Sequence, residues 1–148
     1  MPTPPIEPIA GIARVVQLSI APVFLLSALA ALLGVLASRL GRIIDRARRL
    51  EDRLAGADQG RAARVTSELG VLARRARLVN RAIRLSTVCA VMVATVIVAL
   101  FVGAFFGRDF AVFIGSVFIA AMFTLCGGLI SFLQEVTLAT RHLRIGAD

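Results

Sequence analysis

The chain has 148 residues, 58% of them apolar, with a mean hydropathy of +0.86 and a net charge of +8. Soluble domains are only about half apolar; here three long apolar runs carry the excess, which excludes a soluble globule and implies an integral membrane protein. All 17 basic residues are arginine and most fall between Arg39 and Arg84, leaving room for one membrane domain and no separate soluble one.

Residues 1–21 form an outer N-terminal segment. Its start is proline-rich and acidic, unlike the basic start of a secretory signal, so no cleavage is expected. Within GIARVVQLSIA, Ile12, Val16 and Ile20 share one helical face, which suits a short interfacial helix ending before Pro22. The alternative is a single first span from about Val15, kinked at Pro22. Span one is assigned to 22–39, already almost long enough to cross the hydrocarbon.

The apolar run then passes into an arginine-rich helix without a breaker stronger than Gly41. Leu40, Ile43, Ala47, Leu50 and Leu54 recur at steps of three and four, as do Val65, Leu69, Leu72, Ala76, Val79 and Ile83 after the polar turn AGADQG. Residues 40–82 therefore read as an antiparallel helical hairpin with a heptad seam. Asp45 has Arg42, Arg48 and Arg49 at helical distances, and Asp52 has Arg48 and Arg49; each exposed pair contributes about 0.3–0.5 kcal/mol. Most of the arginines are left over.

Span two is assigned to 83–106 and span three to 110–133, with a turn at Gly107–Asp109 and Asp109 as N-cap. Small residues recur at helix-packing distances, as in Ala99, Gly103 and Gly107 and in Gly127 and Ser131. A basic loop this short resists translocation, which puts the hairpin and the tail 134–148 in the cytoplasm and the N-terminus outside. The fold class is thus all-α: three transmembrane helices, the first two extended into a cytoplasmic hairpin. Cys89 and Cys126 lie at similar depth on neighbouring spans and read as reduced, buried apolar residues.

The run RLGRIIDRARRLEDRL after an apolar span, with FLQEVTLATRHLRI from Phe132 to Ile145, resembles a family of small three-span bacterial inner-membrane proteins known only as a domain of unknown function. The resemblance implies the three-span topology and carries no chemistry. An absence of Lys beside abundant Arg and Ala fits a GC-rich bacterial genome.

No catalytic constellation is present. The one histidine, His142, has no carboxylate at helical distance, and HExxH, GxSxG and glycine-rich phosphate loops are missing. The chain is read as a non-enzyme without cofactor or metal. Nucleic acid is not expected as a partner, because no stacking aromatic stands among the arginines. Apart from Arg39 and Arg84 at their ends, the spans carry no charge, which disfavours ion-coupled transport.

Two constellations remain. Glu135 lies just past span three, at the depth of Arg39 and Arg84; the three form either an interfacial ion pair fixing helix register or a cytoplasmic gate. Ser27, Ala31, Gly34, Ser38 and Arg42 follow one another at steps of three and four along the first helix. In a ring of subunits that row would line a narrow pore with arginine at its inner mouth. It serves equally as the face on which the first helix packs against the other two. The reading is a homo-oligomeric membrane protein forming an ion channel or pore with a basic cytoplasmic stalk. The alternative is a non-conducting scaffold that binds anionic lipid headgroups or a cytoplasmic protein through Arg46, Arg48, Arg49 and Arg53.

Overall fold

A computed structural model describes residues 7–54, 59–107 and 110–141, and the described residues are all helical apart from short turn positions. Three helices follow in order: α1 (Glu7–Leu54), α2 (Gln59–Phe106) and α3 (Ala111–Arg141). Residues 1–6, 55–58, 108–109 (with the expected Asp109 cap) and 142–148 lie outside the described residues. All three helices are long and apolar enough to cross a membrane.

At 48 residues each, α1 and α2 run to about 72 Å, more than twice the roughly 30 Å of a bilayer's hydrocarbon. A membrane-crossing α1 or α2 therefore leaves about half its length outside the hydrocarbon, and apart from Arg14 their arginines all lie in 39–54 and 59–84. Helix is the natural state of both halves. Ala, Leu and Arg are strong helix formers in water, and in lipid the backbone has to satisfy its own hydrogen bonds. Hydroxyls in the apolar stretches follow the same demand by donating back to the carbonyl four residues earlier: Thr95 to Val91 at 2.9 Å and Ser131 to Gly127 at 2.9 Å.

The division expected at Pro22 does not occur. α1 runs unbroken through it from Glu7, so residues 7–21 and the first span are one helix. Pro22 costs this helix one backbone bond, to the Leu18 carbonyl. Such a loss is tolerated in membrane helices, where neighbouring groups and local adjustment compensate. One turn earlier, the Ser19 hydroxyl donates to the Val15 carbonyl at 2.6 Å.

α2 lies between the other two. Each packs along it, while the backbones of α1 and α3 stay more than 8 Å apart. The buried residues recur every seven positions: Leu29, Leu36, Ile43 and Leu50 on α1; Leu72, Val79, Ser86 and Val93 with Ala82, Cys89 and Val96 on α2; Ala121, Gly128 and Glu135 on α3. A seven-residue period keeps one seam facing its neighbour along a whole helix. In the arginine-rich halves, burying Ile43, Leu50 and Leu72 together with Val65 and Leu69 removes apolar surface from water, about 1.5–3 kcal/mol for each fully buried side chain. Inside the apolar runs that drive is absent, and close contact of small residues replaces it. At Gly128 a Cβ would sit 3.3 Å from Ser86 Oγ and 3.5 Å from the Ala82 carbonyl oxygen. Glycine there gives α2 and α3 a close approach, and even one added carbon would require Ser86 to give by a few tenths of an ångström.

α2 ends at Gly107, whose φ of +62° is the left-handed conformation that closes a helix and that glycine adopts without penalty. The first turn of α3 is then set by the Ile114 amide donating to the Phe110 carbonyl at 2.9 Å.

Candidate functional site

Three helices bring one charge each to a single level. Extending the buried row Ala121–Gly128 by seven residues reaches Glu135, which has no exposed surface. Extending Leu25–Leu32 on α1 reaches Arg39, at the flank of the seam. Extending Val96–Cys89–Ala82 back along α2 reaches Arg75. These are core positions occupied by charge.

Arg39 Nη1 donates to Glu135 Oε2 at 2.6 Å. Arg75 closes its fork on the other oxygen, with Nε at 3.1 Å and Nη2 at 2.9 Å from Oε1. The carboxylate is fully buried while the two arginine side chains keep 31% and 24% of their surface exposed. Only the anion is thus wholly desolvated, and it meets three donors. Burying it alone would cost several kcal/mol; the two guanidiniums and their hydrogen bonds offset that. The Arg39 guanidinium also lies 5.2 Å from the Phe132 ring centroid, a cation–π contact one turn before Glu135 on α3. Because α1 and α3 have no close backbone contact, Arg39–Glu135 is a direct polar tie between them.

Arg84 takes no part in this cluster. It is exposed, and the residue that α2 offers to Glu135 is Arg75, about 13 Å further along the helix. The reason is helical phase. Arg84 follows the seam residue Ala82 by two positions, which turns it about 200° away from α3.

The row Ser27, Ala31, Gly34, Ser38 and Arg42 is exposed throughout. It lies on the side of α1 opposite the seam Leu29, Leu36, Ile43, and a Cβ on Gly34 would meet nothing within 4 Å. Packing of α1 on its own α2 and α3 therefore does not use this row. Arg46, Arg48, Arg49 and Arg53 are likewise exposed. Among the described residues the only ion pairs within 4 Å are the two at Glu135, so the pairs expected of Asp45 and Asp52 do not form. Cys89 is buried and Cys126 exposed, so the two thiols do not share an interior contact.

Arg75 is the site residue that depth counting along the sequence missed. The signal was present in the seven-residue phase it shares with Ala82, Cys89 and Val96.

Comparison with curated proteins and with solved structures gives no match. A family model described as a protein of unknown function (DUF2721) matches residues 19–145, nearly the whole of the three-helix unit, and the chain belongs to that family.

Proposed function

We propose that the chain is a homo-oligomeric pore of the bacterial inner membrane, with its N-terminus outside and its arginine-rich hairpin and C-terminus in the cytoplasm. The observation that carries this reading is the α1 face Ser27–Ala31–Gly34–Ser38–Arg42. It is small and weakly polar, continuous over the span, and left uncovered by the rest of its own chain. Facing lipid, such a row gains nothing; facing copies of itself, it allows close helix approach. Three spans in a single copy cannot enclose a water-filled path, so the pore belongs to a ring with α1 innermost. Arg42 stands at the cytoplasmic mouth, where a ring of guanidiniums favours anions. The Glu135 triad holds α1 in register with α2 and α3, which makes each subunit a rigid stave. The test is conductance of the reconstituted protein in planar bilayers. Gly34→Leu or Ser38→Leu should reduce it severalfold, and unaltered currents remove those residues from the pore.

A second reading has its own support. Arg46, Arg48, Arg49 and Arg53 are exposed and have no ion-pair partner among the described residues, as in a non-conducting scaffold whose stalk binds anionic lipid or a cytoplasmic protein. Changing all four to Gln should then abolish liposome or partner binding while the assembly stays intact; binding that survives in low salt excludes it.

A further inference from the structure

Beside the triad, α1 and α2 enclose a cleft of about 270 Å³, closed on one side by the end of α3. Its walls carry Arg39, Arg42, Arg46 and Arg75 above a floor of Ile43 and Leu72. We propose that this cleft binds a phosphate group, supplied by an anionic lipid headgroup.

The charge balance is the first support. Four arginines line the cleft and, among the described residues, no carboxylate does; Glu135, bound to Arg39 and Arg75, offsets only one of the four charges. Arg42 and Arg46 have no ion-pair partner among the described residues. Like charges around one cleft repel one another, and an anion bound there relieves that repulsion. Enough donors remain for one. A guanidinium has five N–H bonds, of which Arg39 commits one and Arg75 two to Glu135. The triad also fixes the inner wall, since both arginines are held by a buried carboxylate and so present their free N–H groups in set directions. Planar forks of this kind match phosphate oxygens, which a lone ammonium does less well.

Depth supplies the second support. Arg39 is the first charge after the apolar run of α1, and Arg42 and Arg46 lie about 4.5 and 10.5 Å further along the helix. The headgroup layer extends roughly 5–7 Å beyond the hydrocarbon on each side. The cleft therefore starts at the level of lipid phosphates and opens towards water. Its volume falls just below the roughly 300–1,000 Å³ of pockets that engulf drug-sized ligands, and it suits a headgroup whose acyl chains stay in the bilayer. The inference rests on the lipid-binding reading of the arginine stalk and not on conduction: in it Arg42 meets a headgroup rather than a central path.

The test uses the full-length protein in nanodiscs, with native mass spectrometry reading the lipid retained. Phosphatidylglycerol and phosphatidylcholine are compared, with inorganic phosphate as a soluble competitor. The proposal expects retained phosphatidylglycerol in excess over phosphatidylcholine. Arg42→Gln with Arg46→Gln should lower that retention about 25-fold, at about fivefold per arginine. Arg77→Gln with Arg81→Gln removes equal charge from the exposed opposite side of α2 and should change it little. If millimolar phosphate leaves the adduct in place, the source is lipid; if phosphate displaces it, the cleft binds phosphate from solution and the lipid assignment is overturned. Equal loss in both double variants, or no preference for the anionic lipid, would overturn the proposal as a whole.

Discussion

Arg39 and Glu135 are 96 residues apart in the chain and meet at 2.6 Å, joining two helices whose backbones never come close. With Arg75 on the central helix, the contact makes a three-helix clamp at the level where the apolar runs end. Buried charge is poor evidence for stability, because its desolvation competes with its attraction. Its consequence here is positional. Each helix can satisfy the buried charge in only one register.

That account separates two kinds of change at the clamp. Glu135→Ala removes the hydrogen bonds that hold two arginines which keep 31% and 24% of their surface exposed, and should cost about 1.5–3 kcal/mol. Replacing the whole set together, Arg39→Met, Arg75→Met and Glu135→Leu, should cost far less, since no unpaired charge remains. Thermal unfolding in detergent would show the difference, and equal losses would contradict the clamp.

The two arginines of α2 give a paired prediction. Arg75→Gln weakens the hydrogen bonds to a buried carboxylate and should lower the unfolding temperature by several degrees. Arg84→Gln alters an exposed side chain and should stay within about 0.5 kcal/mol of the parent. A reversed order would place the partner of Glu135 where depth counting alone puts it.

Much of this was legible in the sequence. The apolar runs and the three- and four-residue spacings from Leu40 to Ile83 foretell three long helices. Glu135 stands out as an anion at the edge of the membrane. What depth counting cannot supply is angular phase, and Arg84 and Arg75 differ by it: only Arg75 continues the row of Ala82, Cys89 and Val96. The continuity of α1 through Pro22 was one of two readings left open, because proline signals a helix start as readily as a tolerated interior break. Phase settles the small-residue row as well. Ser27, Ala31 and Gly34 lie opposite Leu29 and Leu36, so they could not share one packing face.

Two glycines should respond oppositely to size. Gly128→Leu forces atoms into the Ser86 and Ala82 contact and should destabilise the single chain by about 1–3 kcal/mol, read by unfolding in detergent. Gly34→Leu meets open space within the chain and should leave that unfolding unchanged. If the α1 face joins subunits, the same substitution should disperse the assembly, as size-exclusion chromatography with light scattering would report.

The central claim, that α1 presents its uncovered face to copies of itself around a path, is tested most directly by subunit number. Native mass spectrometry of the full-length protein released from lipid nanodiscs gives that number. The account predicts a ring of four or more chains. A monomer or dimer would leave no room for a central path and would contradict it.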